Sequence, residues 1–139
     1  MQSVVENKTI KNITKEMMTL NDYQQQAMTT CLHESENFAY MMLNLVGEVG
    51  EIAGKVSKYI RKGQAGFEGN DLRLYAQGDD DAAWNREGDL RKEAGDVLWQ
   101  LAGLCTVMGW DLEDVARENL SKLTDRKQRG VIASEGDNR

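Results

Sequence analysis

The stretch FAYMMLNLVGEVGEIAGKVSKYIRK, residues 38–62, constrains the fold more than any other part of the chain. It contains no proline, and Phe38, Met42, Leu45, Val49, Ile52, Val56 and Ile60 recur at helical spacing. That pattern predicts one long helix with an apolar stripe, stopping at Gly63, the residue type expected just past a helix end. Glu48 and Glu51 stand one turn apart, so their carboxylates project side by side. Lys55, Lys58 and Lys62 continue the same edge over the next three turns. A third face carries Gly47, Gly50 and Gly54, each costing about 1 kcal/mol relative to alanine inside a helix. A close approach by another helix, within the subunit or from a second copy, is the expected reason for them. Two acids followed by a row of lysines suit a ligand that brings both cations and anions.

The remaining segments repeat the helical theme. LNDYQQQAMTTCL, from Leu20, has a helical pattern with Asn21 as the expected N-cap. Ser35 is placed to cap the long second helix. A third helix is expected from about Glu87 to Met108, with Leu90, Ala94, Val97, Leu101, Leu104 and Met108 on its apolar side and Trp99 in core or interface. Gly109 ends it, and Asp111 with Asp114 reads as the capping box of a fourth helix bearing Leu112, Val115, Ala116, Leu120 and Leu123. Residues 1–19 read as an N-terminal arm, 63–88 as a long inter-helix loop, and 131–139 as a frayed tail. Within that loop DLRLYA hints at a short helix or hairpin. The acidic run at 79–81 lacks the alternating ligands and closing glutamate of a calcium loop. The expectation is a single all-α domain over 1–139, a four-helix bundle.

Composition narrows the function. The chain has 139 residues, no proline and a net charge of -6, which disfavours binding to a nucleic-acid polymer. No apolar run reaches the roughly 18 residues of a membrane helix, and no signal-peptide core opens the chain. Cys31 and Cys105 fit no metal or disulfide framework and are expected to be reduced thiols of a cytoplasmic protein.

The chemistry resides in a repeated acidic motif. Glu93 and Asp96 again stand three apart, and Glu93 falls at the apolar stripe of its helix, where a carboxylate is costly unless paired or metal-bound. Glu48, Glu51, Glu93 and Asp96 could converge if the second and third helices run antiparallel. Four carboxylates without nearby histidine or cysteine select a hard cation, Mg²⁺ or Mn²⁺. A di-iron bundle would need Glu-x-x-His, and the only histidine, His33, lies elsewhere. On the fourth helix Asn119, Lys122 and Arg126 are spaced to share a face suited to phosphate. Lys58 could join them, while Trp84 in the loop and His33 are candidates to contact a nucleobase.

These residues resemble a known family. EVGEIAGKVSKYIRK, KEAGDVLWQLAGLC and ENLSKLTDRKQRG are similar to the MazG-like all-α nucleoside triphosphate pyrophosphohydrolases, and YQQQAMTTC to the first helix of many members, phage-borne ones included. The resemblance covers roughly residues 22–130. It implies a homodimer or homotetramer that hydrolyses a (d)NTP to the monophosphate and pyrophosphate, with deoxynucleotides favoured. By position, Glu48, Glu51, Glu93 and Asp96 would hold Mg²⁺, and Asn119, Lys122 and Arg126 would meet the phosphates. The linker between the acidic pairs is longer than usual for the family. The competing reading is a regulatory or interaction bundle that binds nucleotide without turnover, for which a complete carboxylate set would be unnecessary.

Overall fold

The computed structural model describes residues 17–75 and 82–133. Among these the chain forms α1 (Leu20–Met28), a 3-10 turn (His33–Ser35), α2 (Phe38–Arg61), strands β1 (Ala65–Glu68) and β2 (Asp71–Leu74), α3 (Ala82–Val107) and α4 (Leu112–Gln128). The class is all-α, as expected, with one small hairpin. Most of the N-terminal arm, the acidic run at 79–81, the end of the tail and the side chain of Trp84 lie outside the described residues. No helix among the described residues is long and apolar enough to cross a membrane.

The helix starts differ from expectation in an instructive way. Thr19, not Asn21, caps α1: its hydroxyl accepts from the Asp22 N–H at 3.0 Å, and the Asp22 carboxylate accepts from the Thr19 N–H at 2.9 Å. This reciprocal box satisfies two donors at once and releases Asn21 for another task. Asn37, rather than Ser35, caps α2 by accepting from the Tyr40 N–H at 2.9 Å. Ser35 is used up in the 3-10 turn. At the C-terminal ends Gly63, Gly109 and Gly130 take φ of 69°, 72° and 69°. Each is followed by an N–H that reaches back five residues: Gln64 to Tyr59 and Trp110 to Cys105 at 2.8 Å, Val131 to Arg126 at 3.0 Å. This is the Schellman ending, in which a left-handed glycine lets orphan carbonyls be satisfied.

The chain divides into two compact units, and the division falls inside α3. The first unit, Cys31–Leu104, is an antiparallel helix pair tipped by the hairpin. Met41 of α2 lies against Gly103 of α3, Lys55 pairs with Glu93, and the Tyr59 ring lies 6.0 Å from the Arg86 guanidinium. Rising numbers on α2 meet falling numbers on α3, which sets the antiparallel register. Of α2, only Met41 is fully buried; Phe38, Met42, Val49 and Ile60 of the expected stripe stay exposed. A helix that meets one other helix and a short hairpin cannot bury a full stripe. Among the described residues nothing lies within 4 Å of where a Cβ would stand on Gly47, Gly50 or Gly54, apart from their own helix's backbone, so the expected close approach is not made among them.

The close approach occurs at Gly103 instead. A Cβ there would run into the Met41 sulfur, and Met41 is 0% exposed with nowhere to retreat. Gly103→Val is expected to lower stability by about 1–3 kcal/mol, the usual cost of overpacking. Thermal melting of the variant checks it, and an unchanged midpoint would mean that Met41 repacks freely.

The hairpin lies in the stretch expected to be loop. Its four-residue strands pair antiparallel from Ala65 opposite Leu74 to Glu68 opposite Asp71. Gly69 begins the two-residue turn with φ of 61° and Asn70 completes it, the pattern of a primed turn matched to strand twist. Strands this short give too few alternations for periodicity to register. The Arg86 guanidinium donates to the Tyr75 carbonyl, tying the hairpin's root to the start of α3. That helix begins at Ala82, ahead of the expected start, so Trp84 is helical rather than in a loop.

The second unit combines α1, the end of α3 and α4. Gln24 is its hub, buried at 9% exposure. Its amide donates to the Thr106 hydroxyl at 3.0 Å and the Trp110 carbonyl at 2.9 Å, while its carbonyl oxygen accepts from the Leu112 N–H at 2.7 Å. Asn21 accepts from the Glu113 N–H at 3.1 Å. The first two N–H groups of α4 are thus capped from α1, and Asp111 makes no side-chain capping bond. The capping box expected at Asp111 and Asp114 is not formed; the Asp114 carboxylate instead pairs with Arg117 at 3.2 Å. Ala27, Cys105 and Leu112 are buried in this unit.

Candidate metal centre

Helical spacing on α2 places Glu48 and Lys55 two turns apart on one edge, and on α3 places Glu93, Asp96 and Gln100 along another. The antiparallel pairing brings these edges together. One carboxylate oxygen from each of Glu48, Glu93 and Asp96 lies within 4.8 Å of the others. Glu48 and Glu93 are half-buried and Asp96 is exposed. Such crowding has an electrostatic consequence: burial first, then the charges of Asp96, Glu93 and Glu51, push the Glu48 carboxyl above its ordinary value. Three oxygens of like charge converging from two helices are costly unless a cation shares them. The all-oxygen donor set fits a hard divalent ion such as Mg²⁺ or Mn²⁺.

The other carboxylate expected here, Glu51, is exposed and lies outside the group of three, though its charge reaches Glu48. Lys55, the first of the lysine row, turns into the seam: its ammonium donates to Glu93 Oε1 at 2.6 Å, with the Glu93 side chain only 14% exposed. The hydrogen bond to Glu93 is the main reason the Lys55 ammonium is held above its ordinary pKa, against a smaller opposing effect of burial. Lys58 and His33 are exposed, on α2 and in the 3-10 turn. Neither is among the residues that gather at the carboxylates. In the other unit, Asn119 and Lys122 are exposed on α4, whereas Arg126 is buried at 5% exposure and not part of their open face. Three and four residues bring side chains near one another on a helix, but Arg126 alone of the last turn of α4 is buried, while its neighbours there are exposed.

Two further polar residues on α3 carry a spacing signal of their own. Gln100 stands one turn beyond Asp96 and is 5% exposed, with no hydrogen-bond partner for its Oε1 among the described residues. Arg86 stands two turns before Glu93 and is buried at 7% exposure. Polar residues at i+3, i+4 and i+7 from an acidic pair signal that a helix face meets something other than water.

An all-α chain whose paired helices carry a shared carboxylate cluster defines a narrow class. The MazG nucleotide pyrophosphohydrolase domain matches residues 36–131, a span that takes in Glu48, Glu51, Glu93, Asp96, Asn119, Lys122 and Arg126. The chain belongs to that family. It is also 36% identical over 131 residues to the "Gene 37 protein" of Mycobacterium phage L5, an alignment covering 88% of this chain and 100% of that protein. No solved structure matches it.

Proposed function

We propose that this protein is a Mg²⁺-dependent nucleoside triphosphate pyrophosphohydrolase, with Mn²⁺ able to substitute, acting on dNTPs in the cytoplasm. The observation that carries the reading is the convergence of Glu48, Glu93 and Asp96 within 4.8 Å, on the helix pair that the family match spans. These three would hold the metal, which when bound neutralises phosphate charge and makes a bound water more acidic. Glu51, exposed one turn from Glu48, would accept a proton from the attacking water. Water adds across the α–β phosphoanhydride and its proton passes to the carboxylate. The bridging bond breaks, leaving nucleoside monophosphate and pyrophosphate. The antiparallel register, pinned by Met41 against Gly103, keeps the carboxylates aligned without help from a flexible loop.

A panel of the NTPs and dNTPs, each with Mg²⁺ or with EDTA, tests this reading by chromatography of the products. Monophosphate and pyrophosphate are expected in the Mg²⁺ arm alone. Binding without any product would return the chain to the non-catalytic alternative.

We also infer a homodimer or homotetramer. Leu43, Val46 and Val49 of α2 are 73%, 64% and 53% exposed, an apolar run that isolated soluble chains seldom leave open. Light scattering is expected to give a multiple of the chain mass, and a monomer at micromolar concentration would overturn this.

A further inference from the structure

We propose that Lys55 is a built-in competitor for the metal centre: its ammonium holds Glu93 until a divalent cation takes that carboxylate, and so it sets the affinity of the site. This rests on the reading of Glu48, Glu93 and Asp96 as metal ligands. Glu93 is the member of the cluster that faces both ways. One of its oxygens lies with those of Glu48 and Asp96, and its Oε1 lies 2.6 Å from the Lys55 nitrogen. Two cations drawing on one carboxylate repel each other strongly in a half-buried seam, where water screens them poorly. The side chain of Lys55 is 31% exposed, so its flexible stem can swing clear. Asp89, one turn before Glu93 on α3 and already within electrostatic reach of Lys55, offers a second carboxylate to move to. The exchange therefore leaves no charge stranded. In the metal-free protein the lysine offsets part of the acidic repulsion across the α2–α3 seam.

The test measures Mn²⁺ binding to the whole chain without nucleotide, by calorimetry and by the spin resonance of free ion. Lys55→Met keeps the stem and removes the charge. It is expected to tighten Mn²⁺ binding by roughly three- to thirtyfold, the direction set by deleting a nearby positive charge. A purely structural lysine would instead weaken binding when removed. In a Glu93→Gln background the gain from Lys55→Met is expected to shrink, because the contested carboxylate is gone. In EDTA the Lys55→Met protein should melt below wild type, and Mn²⁺ should raise its midpoint by more. If Lys55→Met does not fold, Lys55→Gln carries the same expectations. Wild-type protein that binds no Mn²⁺ would overturn the metal centre together with this proposal. Wild-type binding with unchanged or weaker affinity in the folded lysine variants would overturn the competitor role alone.

Discussion

Glu93→Gln is expected to cut pyrophosphohydrolase turnover by about a hundredfold or more, with the far-ultraviolet circular dichroism unchanged, because one charged ligand of the centre is lost. Glu48→Gln is expected to match it in activity but differ in stability. Glu93 has an ion-pair partner in Lys55, so its neutralisation strands a half-buried ammonium and should lower the metal-free melting point. Among the described residues Glu48 makes no such ion pair; burial and three neighbouring acids push its carboxyl up from 4.5. A glutamate that holds its proton more tightly when folded contributes instability at high pH, and that penalty fades as pH falls through the raised value toward 4.5. In EDTA, Glu48→Gln should therefore melt above wild type at and above neutral pH, and the gap should close as the buffer is acidified. Melting curves across pH with EDTA present decide the matter. A Glu48 variant less stable than wild type at neutral pH would mean that the cluster is not strained, and full activity in either variant would remove the carboxylates from the reaction.

The second large effect lies in the other unit. Gln24→Leu fills similar space but removes three hydrogen bonds, to Thr106, Trp110 and Leu112. The Leu112 N–H is then left buried without its acceptor, and stranding a buried polar group costs about 1–3 kcal/mol beyond the bonds themselves. Together the loss should reach about 3 kcal/mol or more, read as a melting point lowered by about 10 °C. Gln24→Glu keeps the acceptor for Leu112 and loses the two donor contacts, so an intermediate loss is expected. Asn21→Ala, which removes a single capping bond at Glu113, should cost about 1 kcal/mol. Equal effects in all three would mean that Gln24 is not the hub.

The long second helix, the glycine stops and the acidic pairs were legible because each is local: spacing on one helix decides them. Antiparallel pairing leads one to expect Glu48, Glu51, Glu93 and Asp96 to converge, and oxygens of three of the four, all but Glu51, come together. What escaped was whatever depends on a second element. Spacing alone makes Asn21 a cap of its own helix, but Thr19 takes that role and Asn21 serves α4. The apolar stripe of α2 marked which side is greasy and could not say how much of it this chain covers. The glycines at 47, 50 and 54 meet no helix among the described residues, which leaves a second copy as their expected partner, whereas Gly103, unremarkable among its neighbours, meets Met41. Lys55 was legible as a lysine on the acidic edge, but its partner could be known only from α3.

The Gly69–Asn70 turn at the far end of the hairpin has a consequence for how such chains vary. The alignment of the carboxylates is held by contacts along α2 and α3, from Met41 against Gly103 to Tyr59 beside Arg86. The hairpin is rooted by the Tyr75 N–H donating to the Gln64 carbonyl and by Arg86 on Tyr75, and beyond that root Phe67, Glu68, Gly69 and Asn70 are exposed. Residues added at such a tip lengthen the ribbon outward and leave the helix register alone, at a closure cost that grows only slowly with length. The number of residues between the two acidic pairs is thus uncoupled from the spacing of their carboxylates. A lineage could lengthen, shorten or redecorate this ribbon while its chemistry stands still.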